Sequence, residues 1–312
     1  MQLLQKLRDS SIITVFTRSL EEIERIAREH YHFIRDFLKS SFGRPLLLVY
    51  TGLGNLPANV VYWYMLTMCE EQYVVISEAQ TASLYILPYR EKTSILAFGV
   101  GDHSLLIDTV RVVRLLGHDI WAIMSKLGDD RVETLSKGLG ILIIPLKNEL
   151  DASLAMAISS FMALTEVFRE RFEARGRRLF EHSLEGFTAI SESLIEKYMD
   201  VLENILSRKK IIVTSSKLME TSSVLLTYVL KRSGIDAYYI PFEILNTIDV
   251  WGDILVVATS VEEKMARNLK YKLSRSGSGI VDLVLNTDPL EANIYLSTLA
   301  YYIEKLRSSV TA

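Results

Sequence analysis

The chain has little of several things, and each shortage narrows the reading. Among 312 residues there is one cysteine, Cys69, which excludes an intrachain disulfide and fits a reducing compartment. Net charge is only −3, from 35 basic and 38 acidic residues, so the chain is not built mainly to coat nucleic acid or an anionic membrane. No run of about 18 uninterrupted apolar residues occurs, so no membrane-spanning helix is expected. The N-terminus lacks a basic-then-apolar leader, because Lys6, Arg8 and Asp9 fall where the apolar stretch belongs. A cytoplasmic protein is the expectation. Histidines are few, and the His30–His32 pair points to different faces of a helix, so no metal and no cofactor are expected.

What is present is ordinary globular material. Apolar residues make up 49% and charged residues 23%, enough for roughly two domains of about 150 residues each. Leu20 to Leu38 carries an apolar face at helical spacing, with Ser19 and Glu22 reading as a capping box. Short apolar runs then alternate with helical patterns. Strands are expected at Leu46–Tyr50, Tyr73–Ser77, Ser94–Phe98, Asp119–Met124 and Gly140–Pro145. Helices are expected at Ala58–Cys69, Leu105–Leu116 and Arg131–Lys137. This alternation predicts a parallel sheet with helices on both faces.

From Glu149 to about Ser207 no strand pattern occurs, and two long helices are expected, Ala152–Arg171 and Leu184–Leu206. Between them lies the charged stretch Arg169–Arg178, whose interleaved acids suit a solvated turn. The first pattern then returns, with strands expected at Lys210–Thr214, Ala237–Ile240, Asp253–Ala258 and Gly279–Leu285. Helices are expected at Thr221–Lys231 and Glu262–Leu273, with a closing helix from Asp288 to about Arg307. Offsets between equivalent points are nearly constant: 163 from Tyr50 to Val213, 165 from Glu78 to Glu243, 160 from Phe98 to Ala258 and 160 from Gly117 to Gly277. A period this large predicts two doubly wound, flavodoxin-like α/β domains related by internal duplication. The expected division is 1–148 with a leading helix at 19–39, a helical connector at 149–207, and 208–312.

The stretch Ser94 to Gly117 organises the first half. A buried strand runs through Gly99 and Gly101 into Asp102, His103 and Ser104, and then into a helix stopped by Gly117. Such a turn offers free N–H groups and the positive end of a helix dipole to an anion. The plainer alternative is a tight connection capped by Asp102 or Ser104. Hydroxyls also end strands in the second half, at Ser215 and Ser216 before Lys217, and at Thr259 and Ser260. There the plainer alternative is N-capping, with Ser260 ahead of Glu263 as a capping box. Glu78 and Glu243 end equivalent strands, where carboxylates reach the carboxyl edge that ligands use. His103 suits acid–base work or pairing with a phosphate.

In order and spacing the chain resembles the double SIS (sugar isomerase) family, similar to the isomerase half of glucosamine-6-phosphate synthase and related phosphosugar isomerases and deaminases. Thr51-Gly52-Leu53-Gly54-Asn55 lies where that family has G-x-G-T-S, and Ile76-Ser77-Glu78 resembles its strand ending in Ser-Glu. Phe98-Gly99-Val100-Gly101-Asp102-His103 occupies the place of S-x-S-G-x-T. Glu149-Leu150-Asp151-Ala152-Ser153 opens a helix like the family's inter-domain helix, and Ser309-Val310-Thr311 resembles its closing K-S-V-T. The resemblance implies a phosphosugar held over Gly52, Gly54, Asn55, Gly101, Asp102 and Ser104, or over Ser215, Ser216, Lys217, Thr259 and Ser260. It further implies His103, Glu78 or Glu243 in proton transfer and a homodimer as the assembled state. The implied activity is aldose–ketose isomerisation, or aminosugar-phosphate isomerisation or deamination.

The departures are also specific. Phe98 and Val100 replace both phosphate-binding serines, Asn55 and Leu56 replace the Thr-Ser pair, and Ser308 stands at the closing lysine. No acid occurs near Lys231 and Arg232, where the glutamate base belongs, and no K-H-G-P loop lies between Glu243 and Asp253. A sugar-phosphate sensor without turnover is therefore one alternative. A second is NAD(P) binding, with Gly52-Leu53-Gly54 after a strand and Glu78 ending the next.

Overall fold

The computed structural model describes residues 2–126, 139–245, 247–248, 252–274 and 279–311. The expected helix Arg131–Lys137 and the stop at Gly277 lie outside the described residues. By contact the chain forms two compact units, a first of Glu22–Gly186 and a second of Met1–Glu21 with Phe187–Ala312.

Among the described residues the first unit holds five parallel strands: β1 (Leu46–Gly52), β2 (Val74–Glu78), β3 (Ser94–Val100), β4 (Asp119–Ser125) and β5 (Leu142–Ile144), in the order β2-β1-β3-β4-β5. The second unit holds four, β6 (Lys210–Ser215), β7 (Asp236–Tyr239), β8 (Ile254–Thr259) and β9 (Ile280–Leu285), in the order β7-β6-β8-β9. All pairings are parallel. Every residue of β3 and of β8 is buried, which is why these runs lack alternating polar positions. The chain is therefore α/β, with two doubly wound parallel sheets.

Numbering only the longer helices, α1 is Gln2–Lys6, α2 Ser10–Ser41, α3 Asn55–Met68, α4 His103–Leu115 and α5 Glu149–Val167. They are followed by α6 (Ala174–Glu185), α7 (Phe187–Leu206), α8 (Glu220–Arg232), α9 (Glu263–Ser274) and α10 (Pro289–Thr311). The leading helix begins at Ser10 rather than near Ser19, and the expected capping box is absent. Ser19 lies inside the helix with its hydroxyl donating to Val15 O at 2.9 Å. The extension pays off in buried area: Phe16 is fully buried, edge-on to Tyr302 at 5.3 Å between ring centroids within the second unit. Farther along α2, within the first unit, Phe33 packs on Trp121 of β4 at 4.9 Å.

The two long helices expected after Glu149 are three. A turn through Phe172 and Glu173, both at positive φ (54° and 44°), ends α5 and starts α6, and Gly186 at φ 88° separates α6 from α7. Between β2 and β3 the crossover is a run of short helical turns, Ala79 to Tyr89, which the sequence pattern does not announce. Among the described residues one helix, α5, is long and apolar enough to cross a membrane, but it is the core helix of the first unit, with buried residues on all its faces. Its Ser153 hydroxyl donates to Leu53 O at 2.7 Å, fixing α5 beside the first glycine turn.

Candidate functional site

In an open parallel sheet, loops diverge at the carboxyl edge where strand order reverses, and that crevice takes ligands. In the first sheet the reversal lies between β1 and β3, and in the second between β6 and β8. The glycine and hydroxyl candidates of each half therefore fall at its switch point, whereas Glu78 and Glu243 follow the edge strands β2 and β7.

At the first switch point the glycines serve packing. Gly52 has φ 52°, and a Cβ there would sit 2.0 Å from Val100 O; a Cβ on Gly54 would sit 2.3 Å from Phe98 O. The Thr51–Asn55 turn is thus pressed onto the end of β3, and the space beside these glycines is already filled by protein backbone. Gly99 lies within β3 rather than in the turn, and its missing side chain makes room for Leu106. Gly101 is the true turn residue, at φ 100°. Asn55 starts α3, its Oδ1 accepting from Asn59 Nδ2 at 2.5 Å.

The start of α4 is occupied by carboxylates. Asp102 is its N-cap, accepting from Leu105 N at 3.1 Å and from Ser104 Oγ at 3.0 Å. Glu149 Oε1 lies 3.4 Å from where a Cβ on Gly101 would be. His103, half-buried, places Nε2 2.7 Å from Ser125 Oγ at the end of β4. Burial pushes the His103 pKa below its ordinary value, while the charges of Glu149 and Asp102 pull it upward. A phosphate dianion at this turn would meet two carboxylates and a predominantly neutral imidazole. The first switch point is a histidine–serine–carboxylate cluster. Glu78 ends β2 exposed, with no side-chain cap bond.

The second switch point has a different polarity. Ser215 is fully buried; its hydroxyl donates to Ser216 O at 3.2 Å and lies 3.3 Å from Tyr239 Oη at the end of β7. Ser216 is 8% exposed, and its Oγ is buried without a hydrogen-bond partner, as is Thr214 Oγ1. A few residues on, α8 starts with Met219 at the N-cap and no side-chain cap bond. Lys217 is ion-paired with Glu220. Burial, with the charges of Glu220 and Glu243 adding to it, pushes the Tyr239 pKa up to about 12, while its contact with Ser215 opposes the rise. Glu243, itself exposed, therefore belongs to the same neighbourhood as Ser215, Glu220 and Tyr239. At the end of β8 the capping box is one residue earlier than expected: Thr259 N and Oγ1 both donate to Glu262 Oε2, at 2.9 and 3.0 Å, and Ser260 is exposed.

Three participants escape sequence reasoning as site residues, namely Ser125, Glu149 and Tyr239. Ser125 and Tyr239 are the last residues of their strands, and that position was their only signal.

Comparison with known proteins separates fold from sequence. No protein-family model matches the chain, and no curated protein matches it in sequence. Solved structures match it along nearly its whole length. Glucosamine-6-phosphate deaminase from Thermotoga maritima aligns with TM-score 0.64 at 14% identity, covering 97% of this chain and 95% of that one. Tagatose-6-phosphate ketose/aldose isomerase from Escherichia coli aligns with TM-score 0.62 at 11% identity, covering 99% and 94%. The C-terminal domain of glucosamine-fructose-6-phosphate aminotransferase from Francisella tularensis aligns with TM-score 0.61 at 11% identity, covering 92% and 96%. The fold is that of the double SIS proteins, as the order of the motifs implied.

Proposed function

We propose that this chain binds a phosphorylated sugar, with the phosphate at the Ser215–Lys217 turn before α8. The observation that carries this reading is the Ser216 hydroxyl, buried and without a partner, beside a helix start that no side chain caps. Uncapped N–H groups and the positive end of the helix dipole favour an anion there, beside Lys217, whose charge is shared with Glu220. The fold shared with phosphosugar isomerases and a deaminase supports the ligand class.

With the phosphate on that turn, Tyr239, whose phenol feels the charges of Glu220 and Glu243, would join those carboxylates in handling protons of the sugar, as aldose–ketose isomerisation or aminosugar-phosphate isomerisation and deamination require. In the first unit, His103 with Ser125 is a separate acid–base pair. A second reading, a sensor that binds without turnover, is favoured by the Lys217–Glu220 pair, which engages the carboxylate nearest the turn. The matching strand orders, β2-β1-β3-β4 and β7-β6-β8-β9, support a duplicated ancestor. A cytoplasmic homodimer completes the proposal, its assembly open to sedimentation equilibrium.

The test is a thermal-shift screen of glucose, fructose and glucosamine 6-phosphates alongside NAD and NADP, followed by NMR of the binding sugar to detect conversion. Stabilisation by a sugar phosphate that Ser216→Ala abolishes supports binding, and conversion then separates enzyme from sensor. Stabilisation by a dinucleotide alone overturns the reading.

A further inference from the structure

At the opposite, amino edge of the first sheet lies a cavity of about 390 Å³, lined by Arg44, Lys92, Ser94, His118 and Asp119 among others. Ser94 is the first residue of the central strand β3, between Leu46 of β1 and Asp119 of β4 in register. It is fully buried, yet its Oγ has no hydrogen-bond partner. A buried hydroxyl left unpaired in a cavity wall is a donor waiting for an acceptor.

The other wall residues define what that acceptor is. Arg44 and Lys92 are exposed cations, and among the described residues neither is ion-paired. His118 is already committed. Its Nδ1 accepts from Thr93 N at 3.2 Å, so the proton sits on Nε2, which donates to Leu87 O at 3.2 Å. His118 therefore shapes the floor and contributes no free donor. Asp119 is exposed and would repel a bare oxyanion, but it would accept from a hydroxyl of the same ligand.

We propose that this cavity is an anion site for a small hydroxylated phosphate monoester, with Arg44, Lys92 and Ser94 holding the phosphate and Asp119 a ligand hydroxyl. It stands independently of the phosphosugar reading, since it shares no residue with either switch point. An occupant at the amino edge is remote along the strands from His103, which follows the far end of β3.

The experiment uses the full chain carrying Ser216→Ala and Lys217→Ala, which silences the proposed turn in the second unit. Glycerol 1-phosphate and inorganic phosphate are titrated into it by calorimetry. One binding event is expected for glycerol 1-phosphate. Adding Arg44→Ala weakens it about tenfold, the loss of one charge-assisted hydrogen bond. Adding Ser94→Ala weakens it severalfold without lowering the melting temperature of the unliganded protein, because an orphaned buried hydroxyl is removed. Asp119→Asn narrows the preference for glycerol 1-phosphate over inorganic phosphate. Absence of binding to the silenced chain, or binding unchanged by Arg44→Ala and Ser94→Ala together, overturns the proposal.

Discussion

His103 Nε2 lies 2.7 Å from Ser125 Oγ, joining the first turn of α4 to the end of β4 across 22 residues of sequence. The imidazole is half-buried, and burial depresses its pKa. The folded state therefore favours the neutral ring. Stability from this group is present above the ordinary histidine value of 6.5 and is lost as pH falls through the lower folded value. NMR titration of the ring should show a midpoint below 6.5, and Ser125→Ala should move it. A midpoint above 6.5 would contradict the burial argument.

Gly52 adopts φ 52° with Val100 O 2.0 Å from its Cβ position. Gly52→Ala is expected to destabilise the protein by about 3 kcal/mol, from the left-handed penalty together with displacement of backbone. Gly234 also has positive φ (86°) but open space around it, so Gly234→Ala should cost only about 1 kcal/mol. Urea denaturation of both variants checks the difference.

Ser216→Ala should leave the unliganded protein as stable as before, or up to about 1 kcal/mol more so, because it removes an unsatisfied buried hydroxyl. The same variant should lose stabilisation by sugar phosphates. A variant that melts several degrees lower without ligand would show that the hydroxyl has a structural partner.

Burial pushes the phenols of Tyr239 and Tyr302 up to about 12, so ultraviolet absorbance at high pH should show a late-ionising fraction that loses one tyrosine in Tyr239→Phe. That variant loses the contact with Ser215 and is expected to cost about 1 kcal/mol. Tyr239→Phe should also weaken sugar-phosphate binding more than Glu78→Gln does, because Glu78 stands in the other unit.

Glu304 is 5% exposed and bridges Arg232 at 3.2 Å and Arg307 at 2.6 Å within the second unit. Glu304→Gln leaves two guanidinium groups without their shared carboxylate and should destabilise by about 3 kcal/mol. Thermal denaturation measures it, and the loss should shrink when Arg307→Met accompanies it.

The amino-acid order by itself determined that this chain is α/β with two parallel sheets. Buried strand segments such as Ile95–Phe98 and Ile254–Ala258 need unbroken apolar runs, and those runs are visible without a structure. It also marked the strand-end turns that hold the candidate residues, because glycines and hydroxyls concentrate where strands end. Tertiary structure alone decided what each turn is for. Gly52 and Gly54 face a strand backbone, Asp102 and Glu149 stand at the first turn, and the buried Ser216 hydroxyl in the second half has no partner. Those outcomes depend on which side chains arrive from remote segments, such as Glu149, Ser125 and Tyr239. Local pattern records the periodicity of burial, whereas a site is set by distances between residues far apart in the chain.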